Sequence, residues 1–496
     1  MNTKAFIRIN IAGSGTAGLT SALLFRKAFP DSEITVISSS KIGIIGVGEG
    51  STEHWRTFMD ICDIPLEEMI VATKATHKYG IRFENWTTHT PDYFHSVSGI
   101  DEIFAHQYYA TYLGHIEKGK LLTSQIAGIG LVRDQISRRS LHKSTNQFHF
   151  DTYKLNEYLT SLCFKRNIRF IEGEISNVLL NDSGIEKIVM DSGFVVEGDF
   201  WIDATGFHKV LINKVANPTW VSFSDYLLCD RAVVFQTPSD PNGRIRSYTR
   251  ARAASAGWVF EIPTQERRGN GYIFSSKHIS DEDAKKELSE MTGYDASNAR
   301  VISFDAGYIE EPWVKNCCAV GLSSSFVEPL EATSIGSTIQ QVRMLIPHLA
   351  AFTEKTTKSQ RVYNKDFSKV MNNILTMIRL HYYSDREDTS FWQDMKNMPI
   401  NEELQDMIDV WGERGPTRDD FFTGNFNLFS APHFAHVAQG QGLFNPESCG
   451  IIIDRLEMRQ TIEREMDNQR HSRIAVELVD HAEALRELEV IDGDWQ

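Results

Sequence analysis

Apolar and polar positions alternate over Phe6-Ile7-Arg8-Ile9-Asn10-Ile11-Ala12, the period of a half-buried strand. A glycine-rich turn, Gly13-Ser14-Gly15-Thr16-Ala17-Gly18, follows at once. From Leu19 to Phe29 the spacing becomes helical, with Leu19, Leu23, Leu24 and Ala28 on one face. Glu33-Ile34-Thr35-Val36-Ile37 predicts the next strand. Far downstream, Phe200-Trp201-Ile202 predicts a buried strand that runs into Asp203-Ala204-Thr205-Gly206. Cys317-Cys318-Ala319-Val320 predicts another, running into Gly321-Leu322. Trp258 and Phe260 stand two apart, on one face if their segment is a strand. From Asn401 onward the pattern is mainly helical. There Ile474, Leu478, Leu485 and Leu488 predict an amphipathic helix, packed on the main lobe or on a second subunit of a homo-oligomer. No window reaches about 18 consecutive apolar residues, so no membrane span is expected. No apolar leader with a cleavage site stands at the N-terminus, so no signal peptide is expected and the location is read as cytoplasmic.

The first three elements form a βαβ unit with G-x-G-x-x-G at the strand-to-helix turn. Gly13 permits the tight turn, Gly15 lets backbone approach a pyrophosphate, and Gly18 lets helix and strand pack closely. The diphosphate then faces the helix N-terminus at Thr16 and Ala17. In isolation the motif is weak, but strand and helix flank it correctly. The acidic residue expected about 20 residues past the motif is absent, and Ser38 stands there. A serine hydroxyl holds a ribose less strongly than a carboxylate, which implies a loosely held dinucleotide that exchanges between turnovers. Gly43 to Gly50 and Gly128-Ile129-Gly130 are glycine-rich without a strand–helix context, so no second dinucleotide domain is expected. The Asp203 to Gly206 strand end either sits beside the first glycine turn or is an ordinary turn.

Length and charge narrow the class. The chain has 496 residues, and a single core rarely serves more than about 250 to 300 residues. We expect a discontinuous core over 1–400 with inserted substrate elements, and a helical C-terminal lobe over 401–496. Apolar residues at 41% and charged residues at 24% suit a globular chain. A net charge of −15 gives no gain from phosphate neutralisation, so neither nucleic acid nor an anionic membrane is an expected partner. Six cysteines in so long a chain make no disulfide framework, and Cys317 and Cys318 are expected as buried small hydrophobes. No metal site is expected.

Ordered motifs along most of the chain resemble the flavin-dependent tryptophan halogenases. After Gly13 to Gly18 come Gly46-Val47-Gly48-Glu49-Gly50-Ser51, similar to the family's loop near the flavin, and His77-Lys78-Tyr79-Gly80, similar to its lysine segment. Phe148-His149-Phe150-Asp151, Asp203 to Phe207 and Cys229-Asp230-Arg231-Ala232 also match. Gly257-Trp258-Val259-Phe260-Glu261-Ile262-Pro263 resembles the diagnostic Trp-x-Trp-x-Ile-Pro, with Phe260 for the second tryptophan. Phe326-Val327-Glu328-Pro329-Leu330-Glu331-Ala332-Thr333-Ser334 resembles Phe-Val-Glu-Pro-Leu-Glu-Ser-Thr-Gly. His381-Tyr382, Arg386 to Thr389, Phe391-Trp392 and the Gly440-Gln441-Gly442 segment complete the series. Members encoded by cyanophages exist, and a viral source, acting in host cytoplasm, is the expectation for this chain.

The resemblance implies an α/β fold: a Rossmann FAD-binding lobe like that of FAD-dependent monooxygenases, with mixed β-sheet, plus the helical C-terminal lobe. It implies FAD, reduced by a separate flavin reductase, bound by Gly13, Gly15, Thr16, Ala17, Gly18, Ser38, Gly48, Glu49 and Leu322. Reduced FAD, O₂ and a halide ion give hypohalous acid, which travels internally to Lys78 and halogenates an electron-rich aromatic substrate. Lone lysines are nearly always solvated charges; this role asks for a buried one with a lowered pKa. Glu331 is implied as the catalytic carboxylate, stabilising the cationic ring intermediate or taking its proton. Trp258 and Phe260 are implied as the barrier between flavin and substrate, although paired aromatics are more commonly plain core. Backbone N–H groups at Thr333 and Ser334 are implied as the halide site. Serine in place of glycine resists positive φ and predicts a differently shaped cradle. Bromide and iodide are also easier to oxidise than chloride, so they are expected to serve at least as well.

Two other classes compete. A flavin hydroxylase usually ends the strand before Gly321 in Gly-Asp, and Leu322 in place of that Asp favours halogenation. A non-catalytic flavin-binding protein is disfavoured by the presence of both Lys78 and Glu331. Leu443 to Ile453 carries no Tyr or Trp, so an indole, phenol or other electron-rich aromatic is a safer substrate expectation than free tryptophan.

Overall fold

A computed structural model describes residues 7–43, 46, 48–96, 108, 111, 135–137, 147–240, 243–353, 357–418, 420–421, 424, 426–465 and 478–493. The N-terminal elements that build the site are β1 (Arg8–Ala12), α1 (Thr16–Ala28), β2 (Glu33–Ser38) and β3 (Glu49–Gly50). Next come β4 (Thr76–His77), β5 (Gly80–Glu84), β6 (Asp92–Ser96), β7 (Phe148–Phe150), β8 (Arg169–Glu172) and β9 (Phe200–Asp203). The C-terminal half adds β10 (Gly257–Pro263), β11 (Cys317–Ala319), α2 (Thr333–Ala350), α3 (Thr357–His381), α4 (Ala431–Gly440) and α5 (His481–Gly493).

A six-stranded sheet runs Trp313–Val314, β11, β9, β1, β2, β8, and its four pairings from β11 to β8 are parallel. Ile9 and Ile11 of β1 have no exposed surface, and burial of each contributes on the order of 2 kcal/mol. Of the two readings of the Asp203 strand end, the neighbour relation is the one found: β9 pairs with β1 and places Asp203 opposite Ala12, beside the glycine turn. A second, seven-stranded sheet is mixed, in the order Arg300–Ser303, Arg231–Pro238, Arg267–Phe274, β10, Thr249–Ala253, β5, β6. Between them a small sheet joins β3 and β4 through β7.

All six cysteines are free and buried. Alternation along β11 puts Cys318 in the main core and Cys317 in the separate cluster on the other face. Among the described residues no helix is long and apolar enough to cross a membrane.

One element departs from expectation. Leu478 lies on a short strand, Leu478–Asp480, paired with Gln135–Ser137, and the helix begins only at His481. Leu485 and Leu488 do face the core from that helix. Ile474 and the Gly128–Gly130 segment lie outside the described residues. The strand satisfies backbone groups through a partner more than 300 residues away, which helical periodicity cannot foresee.

Candidate active site

The glycine turn forms a cradle at the ends of β1, β9 and β11. A Cβ added to Gly13, whose φ is +109°, would collide with the Ala204 carbonyl, and one on Gly18 would collide with Gly13 O. At Gly15 an added Cβ meets nothing within 4 Å. The N-terminus of α1, capped by Gly15 without a side-chain bond, therefore opens on free space, which suits a diphosphate. These residues fit the dinucleotide that the motif calls for. Thr16 and Ala17 begin α1, and Ala17 Cβ packs so closely on Gly321 that a side chain there would meet it at 2.6 Å. Leu322 follows in the short 3-10 turn Gly321–Ser323 and so joins the same cradle. Asp203 does not face it. Its carboxylate accepts from Thr205 N, Leu211 N, Ile212 N and Ser323 Oγ at 2.8–3.1 Å, and so fixes the strand end.

Ser38 ends β2, and its hydroxyl lies 3.3 Å from Glu172 Oε2. Gly48, at φ +137°, leads into Glu49 on β3. Burial pushes the Glu49 carboxyl up to about 7, and its Oε2 is buried without a hydrogen-bond partner.

Lys78 lies between β4 and β5 and is only 1% exposed. Its N–H donates to Gln147 O and its Nζ to Ser51 O, both at 3.0 Å. Burial lowers its pKa to about 8, and the charges of Glu331 and Glu53 limit the fall. Gly50 separates this amine from the turn after Glu331: a Cβ there would stand 3.2 Å from Ala332 Cβ and 3.5 Å from Lys78 Nζ. Next to Lys78, His77 N donates to His481 Nε2 of α5 at 3.1 Å, while His481 Nδ1 donates to Ile245 O. The far C-terminal helix thus anchors the strand that carries the lysine.

Glu331 is buried, not on a surface turn. A chain of fixed hydrogen bonds reaches it. Gln441 Nε2 donates to the His381 carbonyl at 2.7 Å and to Tyr93 Oη at 3.1 Å. A carbonyl only accepts, so the amide nitrogen must face both groups. Tyr93 then donates its proton to His381 Nδ1 (2.9 Å), which leaves His381 Nε2–H to donate to Glu331 Oε1 (2.7 Å). His95 Nδ1 donates to the same oxygen at 2.8 Å. Burial alone would raise the Glu331 carboxyl, but His95 and His381 outweigh it and hold the group well below the usual carboxylate range. Burial lowers His381, and Glu331 opposes this. His433 and His436 of α4 place their rings 5.6 and 5.8 Å from the His95 ring. Burial brings His433 down to about 4 and His436 well below its ordinary value.

Trp258 and Phe260 share a face of β10, with ring centroids 5.9 Å apart, and both are buried. Phe260 lies against Gly271 of the neighbouring strand, where any side chain would strike its ring. Trp258 Nε1 and Tyr382 Oη both donate to Glu328 Oε2 at 2.7 Å. Burial pushes Glu328 up to about 7, and its Oε1 has no hydrogen-bond partner. Thr333 and Ser334 open α2, whose N-terminus has no side-chain cap. The expected conflict between serine and positive φ does not arise. Ser334 is helical, and the left-handed residue is Ala332, at φ 55° and ψ 41°.

The structure therefore sets Lys78 and the turn after Glu331 on either side of Gly50, with buried Thr333 and exposed Ser334 following that turn at the start of α2. Ser38 lies at the far end of β2, in the dinucleotide region. Sequence reasoning missed Tyr93 and His95, and it named Ser51, Glu328, His381 and Gln441 within motifs but gave them no role. Tyr93 and His95 were within reach, because strand alternation sends both to one face. Among the described residues no His, Cys, Asp and Glu group is arranged to hold a metal ion.

The chain as a whole is similar to known proteins. The tryptophan halogenase family model matches residues 8–453. Tryptophan 6-halogenase SttH of Streptomyces toxytricini is 30% identical over 471 residues, spanning 88% of this chain and 89% of its own. The 7-chloro-L-tryptophan 6-halogenase KtzR of Kutzneria sp. (strain 744) is 30% identical, covering 89% and 92%. The crystal structure of tryptophan halogenase from Shewanella frigidimarina superposes with a TM-score of 0.87 at 26% identity, covering 97% of each chain. With the glycine cradle, the sheet order and these matches together, the chain belongs to the tryptophan halogenase family and is a flavin-dependent halogenase.

Proposed function

We propose that Lys78 and Glu331 carry the halogenation of an electron-rich aromatic ring, with the halide held at the Thr333–Ser334 backbone. Reduced FAD, delivered by a separate flavin reductase and held at the glycine cradle, would supply together with O₂ the two-electron oxidation of halide to hypohalous acid. The Lys78 ammonium donates a hydrogen bond to that acid and presents its halogen to the ring. A carbon–halogen bond forms as the oxygen–halogen bond breaks, and water leaves with the displaced ring proton. Glu331, ionised and fixed at Oε1 by two histidines, stabilises the cationic ring rather than storing a proton. Trp258 and Phe260 separate ring from flavin, and Gly48, Glu49 and Leu322 line the flavin side. Helix α4 and Gln441, from the C-terminal part of the chain, close the substrate side. The observation that carries this reading is a fully buried lysine amine set against the Glu331 turn across a glycine.

The test is a product screen of indoles, phenols and free tryptophan with FAD, a flavin reductase and equal chloride, bromide and iodide. Brominated or iodinated product at least equal to chlorinated product is expected. K78A is expected to cut product about 100-fold or more while trapping dyes still detect hypohalous acid. Preference for chloride would overturn the halide assignment, hydroxylated product the reaction, and an active K78A the lysine's role.

A further inference from the structure

The FAD site lacks an acid at the end of β2, yet a carboxylate is there. β2 and β8 run parallel with Ser38 paired to Glu172, so the two side chains leave the sheet on the same face. Glu172 is longer, and it leans across: its Oε2 lies 3.3 Å from Ser38 Oγ, and its Oε1 accepts from Ser40 N at 2.7 Å. The backbone closes the same corner, with Gly173 N donating to Ser38 O at 2.8 Å and Gly13 N donating to Ile37 O at 2.8 Å. The strand end that bears Ser38 is thus tied on one side to the glycine turn and on the other to Glu172. Bonds from Ser40 N, the Ser40 side chain and the Ser38 hydroxyl hold the Glu172 carboxyl below its ordinary value, so it is ionised at neutral pH.

We propose that Glu172 supplies, from the adjacent strand, the carboxylate that binds the adenosine ribose hydroxyls of FAD, with Ser38 as its orienting partner. The replacement of an acid by Ser38 is then a relocation of charge by one strand, and the cofactor keeps a charge-assisted hydrogen bond.

FAD affinity, read by quenching of flavin fluorescence and independent of turnover, tests this. E172A is expected to weaken FAD binding about tenfold or more, the size of a lost charged hydrogen bond. Adding S38E to E172A, which puts the acid back on β2, is expected to recover most of that loss. An E172A protein within about twofold of the unsubstituted chain overturns the proposal. So does a loss that S38E leaves unrepaired, since Glu172 would then only hold the Ser38–Ser40 turn. An unsubstituted chain that bound no FAD would overturn the cofactor site as a whole and this proposal with it.

Discussion

At Lys78 the unfolded chain keeps its proton to about pH 10.5, whereas the folded chain releases it near 8, because burial outweighs Glu331 and Glu53. Between those values the unfolded state binds more protons, so stability rises with pH across that window. Below it the fold carries the whole penalty, about 3 kcal/mol for a shift of this size. K78M is therefore expected to be about 1–3 kcal/mol more stable than the unsubstituted chain at pH 7 in denaturant unfolding. It is also expected to lose halogenation. A less stable K78M would mean that the bond to Ser51 O outweighs desolvation. Lys78 was legible because neighbouring residues resemble a known motif. Its burial was not, since nothing local in the sequence distinguishes a desolvated lysine from a solvated one. Glu331 shows the same limit. Its place came from the motif, but its ionised state depends on His95 and His381, 236 and 50 residues away.

At the level of elements, α4 meets β6 through a close fit at Gly440, beside the ring contacts of His433 and His436 with His95. A Cβ on Gly440 would strike the Tyr93 ring. That ring stacks on Phe83 at 4.8 Å, and Phe83 stacks on His381 at 4.3 Å. G440A must displace Tyr93 and with it the donor to His381. It is expected to cost about 1–3 kcal/mol in stability and to lower kcat more than KM, because the disturbed groups position Glu331. An unchanged Tm and kcat would show that Tyr93 relaxes freely. The elements themselves were largely visible beforehand. β1, α1, β2, β9, β10 and β11 follow from local periodicity, because each buries one face or a continuous run. The pairing of Leu478–Asp480 with Gln135–Ser137 was hidden, and so was the helix start at His481. A three-residue strand carries too little pattern to compete with the helical spacing around it.

Across the whole molecule, buried neutral histidines set the response to acid. Burial lowers His433 and His481 to about 4 and His149 and His436 well below their ordinary value. As pH falls below about 6.5 the unfolded chain takes up these protons and the folded chain does not, so stability is lost down to about pH 4. Each such histidine contributes a slope of about 1.4 kcal/mol per pH unit inside that window. The Tm is expected to drop between pH 6.5 and 5, with Glu49 and Glu328, which the fold keeps protonated below about 7, offsetting part of the loss. A Tm that holds to pH 5 would show that these rings titrate normally.

A catalyst of this kind works inside its own corrosive product. Hypohalous acid attacks thiolates first, and such damage ends in irreversible sulfur acids. Every cysteine of this chain is buried, and burial pushes Cys62, Cys163, Cys318 and Cys449 up to about 12 and Cys229 and Cys317 well above the ordinary thiol value. The reactive anion is therefore scarce at neutral pH. The two faces of β11 each close a core over one sulfur, which keeps Cys317 and Cys318 away from an oxidant in solvent.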